Sequence, residues 1–173
     1  MKTPAFVAAA LLLFSAPGLS AQEADPADVS SIDAIVAAVY DVISGSAGEA
    51  RDWDRWRSLF IPEARLIPVG RAADGSVRRS VITPEEYATR SGPVLERDGF
   101  FEVEVGRVTE QFGQIAHLFS TYESRRRPDD AQPFARGINS FQLMNDGTRW
   151  WVVTVMWDSE RADNPIPERY IGR

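Results

Sequence analysis

The chain of 173 residues contains no cysteine, one histidine (His117) and one lysine (Lys2), and these shortages exclude several kinds of chemistry. Without cysteine there is no disulfide, thiol nucleophile, iron–sulfur cluster or thiolate zinc site. One histidine excludes the two-histidine zinc motifs, and one lysine near the N-terminus excludes a Schiff-base or phosphate-loop lysine further along. Carboxylates, tyrosines, arginines and a single histidine remain as candidates for chemistry, and a domain with no chemistry is equally compatible.

The charge balance and the absence of ligand motifs restrict the partners. The formal net charge is −6, which is unfavourable for binding the phosphate backbone, so we expect no nucleic-acid partner. No spacing typical of phosphate loops, dinucleotide-binding turns, EF-hands or serine hydrolases occurs. We therefore predict a domain that uses neither a cofactor nor a metal.

The N-terminus has the pattern of a secretory signal peptide. A short positive start containing Lys2 precedes an apolar run over residues 5–14 and a small-residue stretch ending at Ala21. The apolar run is shorter than the ~20 residues that a membrane-spanning helix needs. We expect cleavage after Ala21, a folded domain over 22–163, a C-terminal tail over 164–173, no membrane span, and a periplasmic or secreted location.

Three helices are predicted in the first part of the mature chain. Asp25 is a candidate N-cap for a long helix whose apolar residues recur at helical spacing until Gly45. A second helix carries Trp56 on its apolar side. The third begins at the capping box Thr83–Glu86, and we expect Gly92-Pro93 to interrupt it.

The rest of the sequence favours β-structure. Two short strands are predicted at 64–69 and 77–82, and four long strands rich in aromatic and β-branched residues follow at 100–112, 114–125, 134–144 and 149–158. A three-residue loop at 145–147 would make facing residues of the last hairpin sum to 292. One face would then be mostly apolar, with Asn139, Phe141, Leu143, Trp151, Val153, Val155 and Trp157. The mixed opposite face, within Trp150–Met156, suits a partner subunit, so we expect a homodimer through the outer sheet face.

An ordered set of short segments carries a family resemblance. The set consists of Asp52–Phe60, Pro62–Leu66, Gly113–His117, Ser120–Glu123, Asn139–Leu143, Asp146-Gly147 and Trp150-Trp151. In this order the segments resemble the SnoaL-like branch of the nuclear transport factor 2-like superfamily, which has secreted bacterial members. The resemblance spans nearly all of residues 30–160. It implies a cone-shaped α+β fold in which three N-terminal helices pack on a curved, mostly antiparallel sheet.

The resemblance does not fix an activity, because this superfamily includes isomerases, dehydratases, cyclases, hydrolases and non-catalytic binding modules. Where its ketosteroid isomerases carry a catalytic aspartate, this chain has the apolar stretch 66–69. Their second acid corresponds to Asn139 and their helix-one tyrosine to Tyr40. Scytalone dehydratase uses two pocket histidines, and this chain has one. The likeness to the isomerases also implies that the side chains of Ala116, Leu118, Ser120 and Tyr122 point inward.

Three functions remain open from the sequence, and we expect the first. The first is an apolar pocket for a small, mostly apolar molecule, lined by Tyr40, Ser120, Tyr122, Asn139 and Trp157. The second is a cofactor-independent lyase, isomerase or hydrolase with His117 as general base, which requires His117 to face the pocket. The third is a structural or interaction module, with His117 in a structural or interface role.

The remaining charged segments are interpreted as solvated. Glu102 and Glu104 alternate with Val103 and Val105 and are expected on an exposed strand face together with Gly106. The run Arg125–Arg127 is expected to lie in a charged loop.

Overall fold

The computed structural model describes residues 23–172, so the predicted signal peptide lies outside the described residues. The helices are α1 (Pro26–Val29), α2 (Ile32–Ile43), α3 (Trp53–Ser58), α4 (Pro84–Asp98) and a 3-10 helix (Glu168–Tyr170). The strands are β1 (Phe60–Arg71), β2 (Val77–Arg79), β3 (Phe101–Phe112), β4 (Ile115–Arg125), β5 (Ala135–Asn145) and β6 (Trp150–Ser159). Among residues 23–172 no helix has the length and hydrophobicity needed to cross a membrane.

The strands form one six-stranded sheet in the order β2-β1-β6-β5-β4-β3. The β1–β6 pair is parallel and every other pair is antiparallel, which confirms the predicted α+β class with a mostly antiparallel sheet. Helix α2 contacts β3 and β6, while α4 contacts β1. The core therefore lies between these helices and one face of the sheet, which we call the inner face.

The helices differ from the prediction at two points. The first predicted helix is divided, because Ser31 caps α2 afresh by accepting a hydrogen bond from the Ala34 N–H at 3.0 Å. The capping box at Thr83 and Glu86 is confirmed, but α4 continues through Pro93 to Asp98, so the expected interruption was wrong. A Cβ added at Gly92 would lie 2.8 Å from the Trp53 ring, so the glycine admits the indole against the helix.

The last hairpin has a different register from the predicted one. Asn145 faces Trp150 across a four-residue loop, and the register shifts again next to Gln142 and Leu143. The carboxyl oxygen Oδ1 of Asp146 organises the loop by accepting from the Thr148 and Arg149 backbone N–H groups. Along β6 the inward residues are consequently Trp150, Val152, Val155 and Trp157 rather than Trp151, Val153, Val155 and Trp157.

The C-terminal segment packs on the opposite, outer face of the sheet. Ile166 is buried, and the Thr121 hydroxyl donates to the Tyr170 carbonyl oxygen at 2.6 Å. Gly106 permits this close approach, since a Cβ there would lie 2.5 Å from the same carbonyl oxygen. The predicted tail over 164–173 thus lies against β3 and β4 as far as Gly172.

Candidate functional site

A cavity of about 420 Å³ lies between α2, α3 and α4 and the inner face of the sheet, and it opens to solvent. Its wall is mainly apolar and aromatic. Helix α3 contributes Trp56, α4 contributes Tyr87, and the sheet contributes Phe141, Val155 and Trp157. The aromatic rings pack against one another: Trp56 stacks on Tyr87 with centroids 5.1 Å apart, and Trp157 meets Tyr87 edge-on at 6.4 Å.

One carboxyl group, that of Glu102 on β3, lines this apolar wall. The Ser124 hydroxyl donates to its Oε2 at 2.7 Å, and the Asn139 amide nitrogen donates to its Oε1 at 3.4 Å. Burial in the apolar wall raises the pKa of Glu102 to about 7, although both hydrogen bonds oppose this change. The carboxyl can therefore exchange a proton near neutral pH.

Behind Asn139 a chain of hydrogen bonds crosses the core. The amide nitrogen of Asn139 also lies 3.0 Å from the Tyr40 hydroxyl, which lies 2.7 Å from the Ser120 hydroxyl. Ser120 donates to the Glu104 carboxylate. Glu104 is paired with Arg107, whose guanidinium nitrogens lie 2.8 and 2.6 Å from its two oxygens.

The Glu104–Arg107 ion pair at the end of these hydrogen bonds determines which group is the donor in each of them. Because the single hydrogen of Ser120 is committed to Glu104, Tyr40 must donate to Ser120 and accept from Asn139. The amide nitrogen of Asn139, rather than its oxygen, is therefore held toward Glu102.

The structure brings together three of the five predicted ligand-binding residues at the cavity wall. Tyr122, Asn139 and Trp157 line the cavity. Tyr40 and Ser120 are buried behind Asn139 and do not line it. Burial raises the pKa of the Tyr40 and Tyr122 phenols. The inward orientation of Ala116, Leu118, Ser120 and Tyr122 is as the family resemblance implied, since all four side chains are buried.

His117 lies on the outer face of the sheet, away from the cavity. It follows the opposite alternation from Ala116 and Leu118, and its Nδ1 lies 2.5 Å from the Gln142 amide nitrogen. Its ring meets Phe119 edge-on at 5.1 Å. The placement expected for a general base in the pocket is thus not found for His117. Glu123 on the same strand and Asp158 on β6 are paired with Arg125 and Arg161 respectively.

Glu102 is the site residue that the sequence interpretation missed. The expected solvated face was wrong, because Glu102 and Glu104 point into the protein while Val103 is 47% exposed on the other side. An extra residue, Val105, interrupts the pairing of β3 with β4, so Gly106 does not share the face of the two carboxylates. A possible signal was the pair of serines, Ser120 and Ser124, at inward positions on the next strand, where they supply donors for carboxylates.

The described residues place few basic side chains around the cavity. Within residues 23–172 no basic side chain forms an ion pair with Glu102 at 4.0 Å or less. Arg90 of α4 lies in the wall, but it is largely exposed and its Nη2 lies 2.7 Å from the Glu86 carboxylate. The same residues contain no group of three or more histidine, aspartate or glutamate side chains that could hold a metal ion.

No protein-family model and no curated protein sequence matches this chain. Solved structures do match. A protein of unknown function with a cystatin-like fold from Nostoc punctiforme has a TM-score of 0.56 at 12% identity, covering 81% of this chain and 96% of that one. An uncharacterised cystatin-like protein from Caulobacter vibrioides has a TM-score of 0.54 at 14% identity, covering 78% and 90%. An NTF-2 like protein of unknown function from Silicibacter pomeroyi has a TM-score of 0.49 at 14% identity, covering 76% and 94%. At these identities the first two matches establish a similar fold and nothing about activity.

Proposed function

We propose that this protein is a small-molecule-binding domain whose ligand occupies the cavity between the helices and the inner face of the sheet. The observation that carries the proposal is the cavity itself. Its volume of about 420 Å³ lies in the range of ~300–1,000 Å³ typical of ligand pockets. Its wall is largely aromatic and apolar, with a carboxyl–amide pair, Glu102 and Asn139, as a polar anchor. Such a composition suits an apolar molecule that carries one polar group.

The same proposal includes membership of a family branch. The sequence segments named above support the SnoaL-like branch of the nuclear transport factor 2-like superfamily. The cystatin-like matches support the fold. The apolar run at 5–14 supports an exported protein. Homodimer formation through the outer sheet face stays a prediction, and sedimentation velocity of the mature chain would test it.

A second candidate function, proton transfer, is favoured by one observation. Glu102 presents a carboxyl with a pKa near 7 to an apolar cavity, which is the property expected of a general acid or base. Under this alternative Glu102, rather than His117, is the general base of a lyase, isomerase or hydrolase. His117→Gln would then leave turnover unchanged while Glu102→Gln abolishes it. Loss of turnover in His117→Gln would restore the original assignment.

Binding is tested by native mass spectrometry of the mature chain, searching for a co-purified small molecule. Ala135 lines the cavity at the start of β5, so Ala135→Trp should fill part of it and remove the bound mass. Ala73 is exposed in the β1–β2 connection, and Ala73→Trp is the matched control that should retain it. A bound mass that persists in Ala135→Trp would contradict the proposed location. Absence of any bound mass, together with no binding of small aromatic probes, would contradict the function.

A further inference from the structure

We infer that the ligand of this cavity carries a cationic nitrogen, such as a protonated amine, on an apolar or aromatic body, and that this nitrogen binds against Glu102. The inference rests on the proposed binding function and names the chemical class of its ligand.

The first support is the set of partners around the Glu102 carboxyl. Ser124 and Asn139 each supply a hydrogen-bond donor, one to each oxygen. A carboxylate oxygen accepts more than one hydrogen bond, so each oxygen keeps further acceptor capacity beyond these two contacts. The complementary ligand group is a donor, and a charged donor makes the stronger bond to a carboxylate.

The second support is the fixed orientation of Asn139. The Glu104–Arg107 ion pair acts through Ser120 and Tyr40 to hold the amide nitrogen of Asn139 toward Glu102. An amide held in this way offers Glu102 a donor and no acceptor. This arrangement favours the ionised carboxylate over the protonated acid, although burial opposes ionisation. A cation from the ligand would supply the charge that the described part of the chain does not place there.

The third support is the aromatic wall. Trp56, Tyr87 and Trp157 line the same cavity as Glu102. The face of an aromatic ring carries partial negative charge and attracts cations, most strongly for tryptophan. A carboxylate beside several aromatic rings is therefore suited to an ammonium group, whereas an anionic ligand would meet repulsion from both.

Arg90 does not reverse this preference. It lies in the wall, but its guanidinium is already paired with Glu86 at 2.7 Å in a largely exposed position. An anion bound there would remain at a solvent-screened surface, where ion pairs contribute little.

The titratable and charged groups around Glu102 make a pH test interpretable. Tyr87, Arg90 and Tyr122 line the same cavity, while Tyr40 and Glu104 belong to the hydrogen-bond chain behind Asn139. Burial raises the pKa of all three phenols, so these tyrosines stay protonated across the neutral range. Glu102, with a pKa near 7, is then the group in the wall that changes charge between pH 5.5 and 8.

The test uses three probes of similar size and different charge: 2-phenylethylamine, 2-phenylethanol and 3-phenylpropanoate. Binding to the mature chain is followed by tryptophan fluorescence, since Trp56 and Trp157 line the cavity. At pH 8 we expect the amine to bind about tenfold more tightly than the alcohol, as a charged hydrogen bond would provide, and the carboxylate to bind most weakly. At pH 5.5 the advantage of the amine should largely disappear because Glu102 is protonated.

Variants on β3 complete the experiment. Glu102→Gln keeps the shape of the side chain and should bind amine and alcohol equally at pH 8. Glu110 is exposed on the same strand, and Glu110→Gln, which makes the same change in net charge, should retain the preference for the amine. If the alcohol binds and the amine has no advantage, or if Glu102→Gln retains that advantage, the inference is wrong and the binding function stands. If none of the probes binds, the inference is wrong, and the binding function is then decided by the search for a co-purified small molecule.

Discussion

The side-chain nitrogen of Asn139 lies 3.0 Å from the hydroxyl oxygen of Tyr40, joining β5 to the first long helix through the buried core. The same nitrogen lies 3.4 Å from Glu102. One amide thus links the interior hydrogen-bond chain to the carboxyl at the cavity wall. The far end of this hydrogen-bond chain is an ion pair between Glu104 and Arg107. This ion pair therefore determines that the amide nitrogen of Asn139 is directed toward Glu102.

Replacing this amide should alter the ionisation of Glu102. Asn139→Leu removes a donor that favours the carboxylate, so we expect the pKa of Glu102 to move above its value near 7. It also leaves the Tyr40 hydroxyl with one partner fewer, which should cost about 1–3 kcal/mol of unfolding free energy. Carboxyl-carbon NMR titration and urea unfolding measure the two effects. Gln142→Leu, on the exposed side of the same strand, is the control, and an unchanged Glu102 titration in Asn139→Leu would refute the proposed link.

Glu102 should make the folded state less stable as the pH rises. Below about pH 4 the carboxyl is protonated in both folded and unfolded chains and has no effect on their balance. Between the unfolded pKa of about 4.3 and the folded value near 7, the unfolded chain releases the proton first. The stability associated with the protonated group is therefore lost progressively over this interval, by up to ~4 kcal/mol, and the loss levels off above the folded pKa.

Glu102→Gln should lack this pH dependence. Urea unfolding at several pH values from 4 to 8 would show the wild type losing stability relative to the variant as the pH rises. Glu110→Gln provides the baseline for removal of an exposed carboxylate. A constant difference between the wild type and Glu102→Gln across this range would contradict the raised pKa.

Arg51 is expected to be a major source of stability. Its guanidinium is buried and donates to the carbonyl oxygens of Ile43, Gly45 and Leu95 at 3.0, 2.7 and 3.2 Å, tying the end of α2 to α4. Arg51→Met leaves these carbonyls without their donors, so we expect a loss of about 3 kcal/mol in chemical denaturation. Arg51→Lys should recover little of it, since an ammonium does not reproduce the planar set of donors. Arg97→Met, at an exposed position, is the control, and equal stabilities of the two methionine variants would refute the assignment.

Gly137 admits the Tyr122 ring to the cavity wall. A Cβ at this position would lie 2.5 Å from the Tyr122 hydroxyl and would also collide with the Asp158 carbonyl oxygen. We therefore expect Gly137→Ala to cost about 1–3 kcal/mol in thermal unfolding and to weaken ligand binding by displacing Tyr122. Gly70 on β1 has open space at the corresponding position, so Gly70→Ala should change neither. Similar melting temperatures for the two variants would contradict the close approach.

The local chemistry of the sequence was sufficient for most of the elements. The capping box at Thr83 and the four long strands were predictable, because each depends on residues that are neighbours in the sequence. The inward position of Tyr122 was implied by the family resemblance. The register of the last hairpin was not predictable, because a shift beside Gln142 and the hydrogen bonds of Asp146 altered the pairing. Alternation is preserved only while a strand contains no extra residue.

The sequence by itself determined which chemistries were absent and that helices precede four long strands, because composition and periodicity are properties of the chain alone. The family resemblance implied that these elements form an α+β fold with a mostly antiparallel sheet. Only the tertiary structure decided where charge is buried. His117 lies on the outer face, and Glu102, an ordinary acid in a run of alternating valines, lines the cavity. The physical reason is that a buried carboxyl depends on donors such as Ser124 and Asn139, which are distant along the chain and are brought within reach by folding.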